Sequence, residues 1–237
     1  VPDSARLGAP IARPSKLVCI GLNYASHARE SGMDVPDRPV VFMKSTTAIC
    51  GPFDDVRIPV QFDSNWNSTP ASEADWEVEL ALVIGQECYQ IPRESALDKI
   101  AGYTIHNDVS EREMQLRHGG QWVKGKSYDT FAPLGPLFVT ADEISDPGKL
   151  GLWLKLNGEL VQDGSTDDLI FDIPTLVSYL SCHMRLLPGD IISTGTPSGV
   201  GLGLVPPKFL KAGDVMELGI DQLGCARQTV VSSQFRK

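Results

Sequence analysis

The chain has 237 residues, of which 42% are hydrophobic and 22% are charged, as is typical of a soluble globular protein with a large core. Its formal net charge is −9 and it has no cluster of Lys and Arg, so the sequence excludes nucleic acid and anionic membranes as expected partners. No apolar run reaches the roughly 18 residues that a transmembrane helix needs.

The cysteine pattern predicts a reduced protein. The five cysteines are widely spaced and form no Cys-x-x-Cys pair, so we expect core residues and neither a disulfide framework nor a zinc site. The first residues, Val1 to Ser4, contain no initiator Met and no basic-then-apolar signal pattern. We therefore expect a trimmed start and a cytoplasmic location.

The N-terminal part of the chain is predicted to be an extended lead-in over residues 1–16, which contain three prolines. The first apolar strand starts at Leu17, and we expect a single domain from there to residue 237. Further strands are predicted over residues 38–48 and 56–59, and the polar segment 61–72 is typical of a loop.

A histidine and a glutamate lie close together after the first strand. Asn23 is a favourable N-cap for a short helix over residues 24–31, on which His27 and Glu30 are three positions apart and therefore neighbours. A carboxylate beside an imidazole orients the ring and makes it a stronger base, as proton abstraction from water requires. The alternative is a surface histidine with an incidental acid, and spacing alone leaves both open.

Two glutamates interrupt an otherwise apolar segment over residues 76–85. In an extended strand Glu77 and Glu79 point the same way, with Cα atoms roughly 7 Å apart, while Val78 points the other way. Two ionised carboxylates in a partly dry place repel each other, so they either take up protons or recruit a cation. Oxygen ligands suit a hard ion such as Mg²⁺, Mn²⁺ or Ca²⁺. The alternative is a half-exposed strand with two solvated acids.

A third carboxylate, Asp108, is available where the next predicted strand ends. Ser110 and Glu113 follow with the spacing of a capping box, which predicts a helix over about residues 111–118. Helix starts favour anions, because the N-terminus carries a partial positive charge. Asp108 is equally compatible with a second cap for that helix, and His106 on the same strand face is a rival ligand. Spacing alone does not choose between these interpretations.

The later elements complete a strand-rich pattern. We predict a short helix over residues 95–101, the longest helix over residues 172–187, and two Gly-Asp turns that each precede a strand. Strands outnumber helices without regular alternation, which disfavours a Rossmann or barrel architecture and favours a β-rich α+β fold. The glycine-rich segment 199–203 lacks the spacing of a dinucleotide loop and is closely followed by two prolines.

Five short motifs stand in a fixed order along the chain. They are Gly21-Leu-Asn-Tyr-Ala-Ser-His27, Asp75-Trp-Glu-Val-Glu-Leu80, Asn107-Asp-Val-Ser-Glu-Arg-Glu113, Lys124-Gly-Lys-Ser-Tyr-Asp-Thr-Phe131 and Ser193-Thr-Gly-Thr-Pro-Ser-Gly-Val200. Together they resemble the fumarylacetoacetate hydrolase family over essentially the whole chain from Leu17. Two further strings, Thr47-Ala-Ile-Cys-Gly-Pro52 and Gly119-Gly-Gln-Trp122, are similar to the branch of 2,4-diketo-3-deoxy-L-rhamnonate hydrolases and fumarylacetoacetase domain-containing proteins.

The resemblance implies a mixed β-sandwich roll that forms a homodimer. It implies that Mg²⁺ or Mn²⁺, with Ca²⁺ as a substitute in crystals, is bound through Glu77, Glu79 and Asp108. It also implies that His27 and Glu30 form a proton-transfer pair on a mobile lid.

Four further site residues are assigned by the same resemblance. Lys126 matches the family's active-site lysine, whose ammonium would hold a substrate carboxylate or stabilise an oxyanion. Arg112 and Gln115 are three apart on one predicted helix face, which the resemblance assigns to substrate contacts. Thr196 matches a loop position that binds the carboxylate end of the substrate.

These inferences predict a divalent-metal-dependent hydrolase that cleaves a carbon–carbon bond in small 2-oxo or 2,4-dioxo acids, either acylpyruvates or diketo-deoxy sugar acids. Such an enzyme would serve the catabolism of aromatic compounds or sugar acids. His27, steered by Glu30, would activate a water that attacks the distal carbonyl, and pyruvate would leave as a metal-bound enolate beside Lys126. Oxaloacetate decarboxylation and isomerisation of the 2-hydroxyhepta-2,4-diene-1,7-dioate type are alternatives on the same site. A non-catalytic metal-binding module is an alternative of another class.

Overall fold

The computed structural model describes residues 5–62, 65 and 67–233. Val1 to Ser4, where we expect a trimmed start, lie outside the described residues, as do residues 63, 64 and 66 of the predicted loop. The described α-helices are α1 (Ala25–Glu30), α2 (Arg112–Leu116), α3 (Val123–Lys126) and α4 (Ile173–His183). The described strands are β1 (Leu17–Gly21), β2 (Val40–Lys44), β3 (Ile49–Cys50), β4 (Val56–Ile58), β5 (Val60–Phe62), β6 (Ser68–Pro70), β7 (Ala74–Asp75), β8 (Val78–Ile84), β9 (Ile100–Asn107), β10 (Ser110–Glu111), β11 (Ala132–Pro133), β12 (Val139–Thr140), β13 (Gly151–Leu156), β14 (Glu159–Ser165), β15 (Ile191–Ser193), β16 (Val215–Ile220) and β17 (Gly224–Ser232).

Two mixed sheets form the body of the molecule. The larger has six strands in the order β12-β9-β8-β15-β1-β2, in which only β1 and β15 are parallel neighbours. The smaller has five strands in the order β14-β13-β16-β17-β4, and β13 and β16 pack against β8. This architecture confirms the predicted strand-rich α+β fold of the mixed β-sandwich type.

The core lies between the two sheets, and the alternation of β8 explains how. Leu80 and Leu82 of β8 are fully buried in one cluster with Leu154 of β13 and Leu218 of β16. Each such side chain contributes about 1.5–3 kcal/mol to stability through its burial. Glu79 lies between Leu80 and Val78 and therefore points to the opposite face, as predicted from the period of two.

The longest helix, α4, begins where the sequence predicts and ends earlier than predicted. Asp172 caps α4 by accepting a hydrogen bond from Thr175 N at 3.0 Å. The helix ends at His183 and not near residue 187, because Leu186 forms a β-bridge with Cys88 instead.

Asn23 does not cap α1, so that prediction was wrong. The N-cap position is taken by Tyr24, without a side-chain hydrogen bond. The Asn23 amide instead donates to Thr194 O at 2.8 Å and accepts from Phe171 N at 2.8 Å. Asn23 therefore ties the start of α1 to the loop after β15, where long-range backbone partners outcompete the local cap.

The capping box predicted at Ser110 is also absent. Ser110 is paired with Asp75 in β10, so its backbone is extended, and its hydroxyl donates to Asp108 O at 2.9 Å. Glu111 takes the cap position and accepts from Met114 N at 2.9 Å. The helix is correspondingly shorter than predicted and runs over Arg112–Leu116.

Three smaller predictions also differ from the structure. Residues 95–101 form no α-helix, and two 3-10 turns, Arg93–Ser95 and Leu97–Lys99, occupy this region. The polar segment 61–72 contains part of a hairpin in which β5 pairs with β6. The strand predicted over residues 38–48 ends at Lys44. Tertiary pairing overrides local composition in such short segments.

The cysteine prediction holds for three of the five residues. Cys19, Cys50 and Cys88 are buried and free, whereas Cys182 and Cys225 are free but exposed. Among the described residues no helix is both long and apolar enough to span a bilayer. The homodimer stays a prediction.

Candidate functional site

A cavity of about 490 Å³ opens beside the N-terminal end of β8. It is enclosed by α1, α2, the end of α3, strand β2 and the segment 196–207. Eight of the nine predicted site residues line it, namely His27, Glu30, Glu77, Glu79, Arg112, Gln115, Lys126 and Thr196. The ninth, Asp108, is fully buried below them.

Three carboxylates meet at the floor of this cavity. Glu79 is the second residue of β8 and Glu77 immediately precedes this strand. Asp108 follows the end of β9, which pairs with β8 in antiparallel register. One oxygen of each residue lies within 4.8 Å of the others, and all three side chains are buried. We call these residues the carboxylate cluster. The structure does not bring the rival ligand His106 into this group.

Two buried lysines neutralise part of the carboxylate cluster. The Lys126 ammonium lies between two of the acids, 2.8 Å from Glu77 Oε2 and 2.8 Å from Asp108 Oδ2. Lys44, the last residue of β2, lies 2.5 Å from Asp108 Oδ1 and donates to Val109 O at 2.9 Å. Within the described part of the chain, Glu79 is the member of the cluster that has no ion pair with a cation.

The charges at the floor of the cavity shift the pKa values of Glu79 and Asp108 in opposite directions. Burial, together with the negative charges of Asp108 and Glu77, raises the pKa of Glu79 well above its ordinary value. Burial would also raise the pKa of Asp108, but Lys126 and Lys44 outweigh it and hold that pKa far below its ordinary value. Burial lowers the pKa of Lys44 despite its contact with Asp108.

A short hydrogen-bond chain orients Glu79. Its Oε2 accepts from the Ser193 hydroxyl and from Gly195 N, the latter at 3.2 Å. His106 Nδ1 lies 2.7 Å from Ser193 Oγ and extends this chain. Burial lowers the pKa of His106 to about 3, so its ring is neutral. The ring's Nε2 is buried and has no protein partner among the described residues.

The carboxylate cluster fits a divalent cation. It offers oxygen donors from three side chains, and Glu79 is buried without a cation of its own within the described chain. Carboxylate oxygens without thiolate or imidazole neighbours in the group suit Mg²⁺ or Mn²⁺. The donor set therefore supports a divalent metal at this position.

The predicted proton-transfer pair is formed at the side of the cavity. His27 Nδ1 lies 3.3 Å from Glu30 Oε2 on α1, as the spacing of three predicted. The other oxygen, Glu30 Oε1, accepts from Gly199 N at 2.9 Å. Gly203 also lies against the Glu30 carboxylate, since a Cβ built there would be 2.5 Å from Glu30 Cδ. Among the described residues, His27 Nε2 has no hydrogen-bond partner, so it is free to meet a ligand in the cavity.

Arg112 and Gln115 share a face of α2 as predicted. Arg112 Nη1 lies 2.7 Å from Glu77 Oε1 and donates to Gln115 Oε1 at 2.9 Å. Arg112 Nε donates to Asp75 Oδ2 at 2.8 Å. The guanidinium is thus paired with two carboxylates. Among the described residues, the Gln115 amide nitrogen and Arg112 Nη2 have no hydrogen-bond acceptor, so both are left for a ligand.

Asp75 connects the two sides of the cavity. Besides Arg112, its carboxylate accepts from Gly201 N at 2.6 Å and from Leu202 N at 3.0 Å. The presence of glycines in segment 199–203 is therefore explained by the structure without nucleotide binding. Their backbone closely approaches two acids, Asp75 and Glu30.

Thr196 lines the cavity, but its hydroxyl is already engaged. The hydroxyl donates to Val78 O at 2.9 Å and accepts from Gln162 Nε2 at 2.8 Å. The backbone N–H of Thr196 has no partner among the described residues. A ligand contact at this residue would therefore use the N–H.

Sequence reasoning missed Lys44, Ser193 and Asp75 as site residues. Lys44 ends an otherwise apolar strand, Val-Val-Phe-Met-Lys, and a lone charge at the end of such a run is the signal that was available. Asp75 and Ser193 lie within the motifs, but Ser193 contacts Glu79 and Asp75 contacts Gly201, each more than a hundred residues away in the chain.

Comparison with known proteins agrees with this geometry. The family model for the fumarylacetoacetate (FAA) hydrolase C-terminal domain matches residues 16–231. A Burkholderia ambifaria protein, provisionally named a hydrolase, is 50% identical over 235 residues, which are 99% of this chain and 80% of the relative.

Two solved structures are similar in both fold and sequence. The 5-carboxymethyl-2-hydroxymuconate delta-isomerase of Mycobacterium smegmatis superposes with a TM-score of 0.82 at 40% identity, covering 97% of this chain and 83% of that chain. The maleylpyruvate hydrolase of Sphingobium sp. SYK-6, in complex with manganese(II) and pyruvate, gives 0.78 at 34% identity, covering 96% and 74%. With the fold, the carboxylate cluster and the family model in agreement, the chain belongs to the fumarylacetoacetate hydrolase family.

Proposed function

We propose that this protein is a divalent-metal-dependent hydrolase that cleaves acylpyruvates. In the reaction, R–CO–CH₂–CO–COO⁻ and water give R–COOH and pyruvate, with cleavage of the bond between the methylene carbon and the acyl carbonyl. The observation that carries the proposal is that the His27–Glu30 pair and the carboxylate cluster border one cavity.

Glu77, Glu79 and Asp108 would hold a Mg²⁺ or Mn²⁺ ion, which would supply a Lewis acid for the oxygens of the 2-oxo acid. A similar solved structure supports this assignment, because the Sphingobium hydrolase was solved in complex with both manganese(II) and pyruvate. Lys126, buried between Glu77 and Asp108, would supply a positive charge for the oxyanion that develops when the bond breaks.

The proton transfers are assigned to His27. Glu30 accepts a hydrogen bond from Nδ1–H of His27. This contact leaves Nε2 unprotonated, as the base that removes a proton from water. The water oxygen then attacks the acyl carbonyl, and the electron pair of the broken bond passes to the methylene carbon. The imidazolium returns its proton to that carbon, which gives pyruvate.

Two groups on the cavity wall are assigned to holding the 2-oxo acid. The Gln115 amide nitrogen and the Thr196 N–H are both donors without a competing protein acceptor among the described residues, and both border the cavity. Arg112 orients Gln115 and is itself neutralised by Asp75 and Glu77. It therefore acts by positioning more than by direct ion pairing with the substrate.

Isomerisation of an unsaturated 2-oxo acid is the second candidate. It is favoured by the similarity to the Mycobacterium smegmatis isomerase at 40% identity. The same histidine would move a proton between carbons, and no water would be consumed. Decarboxylation of oxaloacetate is a third reaction for the assay.

The test is an activity panel on enzyme that has been stripped with EDTA and then supplied with Mn²⁺, Mg²⁺ or no metal. The substrates are acetylpyruvate, oxaloacetate and 2-hydroxyhepta-2,4-diene-1,7-dioate, with pyruvate measured by a coupled dehydrogenase. We expect metal-dependent release of one pyruvate per acetylpyruvate. Faster isomerisation or decarboxylation would replace the proposed reaction, and no metal-dependent turnover of any substrate would indicate a non-catalytic metal-binding module.

A further inference from the structure

The cavity changes character between its floor and its opening. At the floor, Glu79 and Lys126 are each 1% exposed. At the opening, Met33, Leu116, Leu202 and Val205 are 52%, 44%, 37% and 97% exposed, and we call these four residues the mouth. The lining of the cavity therefore changes from buried charged side chains at the floor to exposed hydrocarbon side chains at the opening.

The mouth is built from three separate segments. Met33 follows α1, Leu116 ends α2, and Leu202 and Val205 belong to the segment after Val200. Single exposed hydrophobic residues are ordinary, but four around one opening form an apolar surface that a ligand would cover. The mouth therefore favours a ligand whose outer part is hydrocarbon.

The positive charges that line the cavity already have partners. Arg112 is paired with Asp75 and Glu77, and Lys126 is paired with Glu77 and Asp108. The other described lining residues include no Lys or Arg. A second carboxylate on the outer part of a substrate would lose its hydration without gaining a cation, which is unfavourable.

A chain of hydroxyl groups is also poorly matched by the mouth. Besides the predicted site residues, the described lining residues with a polar side-chain group are Trp122 and Ser31. Trp122 offers one indole N–H, and Ser31 offers one hydroxyl. The Ser31 hydroxyl lies within hydrogen-bonding distance of His27 O and Ala28 O on its own helix, at 2.9 and 3.2 Å. A polyhydroxylated sugar chain would therefore find few partners there.

We propose that the acyl group of the substrate is uncharged and largely hydrocarbon, and that the mouth binds it. The proposal rests on the acylpyruvate hydrolase function proposed above and selects among its substrates. It disfavours both dicarboxylic substrates and diketo-deoxy sugar acids.

The test uses pairs of equal shape that differ in one charge. For turnover with Mn²⁺, 4-methylpentanoylpyruvate is compared with succinylpyruvate, in which a carboxylate replaces the terminal isopropyl group. We expect kcat/KM to favour the neutral compound at least about tenfold. In the straight series from acetyl- to pentanoylpyruvate, we expect a gain of about fourfold per methylene while the mouth fills. Equal or faster turnover of succinylpyruvate would overturn the proposal and leave the hydrolase function intact.

If none of the acylpyruvates is cleaved, a binding experiment distinguishes the proposed hydrolase function from the proposed preference for a neutral outer group. The pair 7-methyl-2-oxooctanoate and 2-oxopimelate lacks the second carbonyl, so neither is a substrate for this cleavage. With Mn²⁺ present, titration calorimetry should give at least about tenfold tighter binding of the neutral acid. Such selectivity without turnover of acylpyruvates would reject the hydrolase while supporting the neutral outer group, and equal binding of the two acids would overturn it.

A charge placed in the mouth should invert the preference. We expect Leu202→Arg to shift the kcat/KM ratio of succinylpyruvate to 4-methylpentanoylpyruvate at least about tenfold towards the dicarboxylate. Leu160→Arg, at a half-exposed position outside the cavity, is the matched control and should keep the parent ratio. Because Leu202 N also binds Asp75, Met33→Arg serves as a second variant. An unchanged ratio in both mouth variants would contradict the placement of the acyl group.

Discussion

The floor and the helix α1 side of the cavity are held in different ways. At the floor, Glu77 and Asp108 each contact two cationic side chains, and the acids are fixed by adjacent strands of one sheet. On α1, the position of the proposed base depends on the contact with Glu30, and Glu30 is held from outside the helix by Gly199 N. The acids of the floor are thus held by several ion pairs, whereas among the described residues the His27 and Glu30 side chains receive one hydrogen bond from outside α1.

Because of this difference, we expect the proposed metal binding and the proposed proton transfer to be separable by mutation. The carboxylate cluster is formed by β8 and β9, whose register does not involve α1. His27 belongs to a six-residue helix whose start is tied down by Asn23. Changes on α1 should therefore leave the metal site intact, and changes at the floor should affect both stability and metal affinity.

The largest expected effect is that of His27→Ala on activity. Removing the proposed base should lower kcat by about 10² to 10⁴, which is the range for loss of general acid–base catalysis. The affinity for Mn²⁺ should stay within about twofold of the parent, since His27 is not part of the carboxylate cluster. Steady-state kinetics and calorimetric titration of Mn²⁺ measure the two quantities.

His118→Ala is the matched control for that variant. His118 is exposed and contacts Glu113 at 3.4 Å, so it reproduces a His–Glu pair away from the cavity. Its replacement should leave both kcat and Mn²⁺ affinity unchanged. Parent-like turnover in His27→Ala would remove the proposed proton transfer but not the metal site.

Lys126→Met tests the charge balance of the floor. Without the ammonium, Glu77 and Asp108 lose a buried partner, and breaking such a pair costs about 3–5 kcal/mol of the free energy of unfolding. The loss should be largest in EDTA and smaller with saturating Mn²⁺, because a bound cation stabilises the native state and compensates the same acids. Urea unfolding in EDTA and in saturating Mn²⁺ measures this loss of unfolding free energy.

Lys149→Met provides the same substitution in an exposed pair. Lys149 contacts Asp146 at 2.9 Å on the surface, and both side chains are largely solvated. We expect no measurable change in the urea midpoint, because exposed ion pairs are screened. Equal effects of the two substitutions would show that the floor is less buried in solution than in the structure.

Glu79→Gln should separate metal affinity from stability. Glu79 is the buried acid of the cluster without an ion pair in the described chain, so neutralising it should leave the urea midpoint in EDTA unchanged or higher. The affinity for Mn²⁺ should fall at least about 100-fold, more than is typical when a supporting residue around a metal is changed. A variant with parent-like Mn²⁺ affinity would exclude Glu79 as a ligand.

The sequence predicted the part of the site that depends on local periodicity. The period of two in β8 correctly separated Glu79 from the core residues Leu80 and Leu82. The spacing of His27 and Glu30 correctly predicted their contact, because three positions on a helix fix that distance. The grouping with Asp108 needed the pairing of β8 with β9, for which the ordered motifs were the guide.

The rest depends on contacts between distant segments, which periodicity does not encode. Lys44 reaches Asp108 although three strands lie between β2 and β9 in the sheet order, and nothing near Lys44 in the sequence indicates that neighbour. Likewise, the glycines of segment 199–203 are explained by Asp75 and Glu30, which precede them by more than a hundred residues. The capping box at Ser110 failed for the same reason, since its pairing with β7 overrode a local pattern.

Gly203→Ala should have the smallest effect and tests whether the position of the Glu30 carboxylate matters for the proposed base. A Cβ at this position would lie 2.5 Å from Glu30 Cδ and 2.7 Å from Oε2, so the carboxylate must shift, and its contact with His27 through Oε2 is disturbed. No titratable group is removed, and we expect kcat to fall about tenfold while Mn²⁺ affinity and the urea midpoint stay near the parent values. Gly8→Ala, where an added Cβ meets no atom within 4 Å, is the control and should behave as the parent. If Gly203→Ala retained full activity, the contact of Glu30 with His27 would not position the base, and the contacts of α1 through Asn23 and from Ser26 N to Asp168 would suffice to hold it.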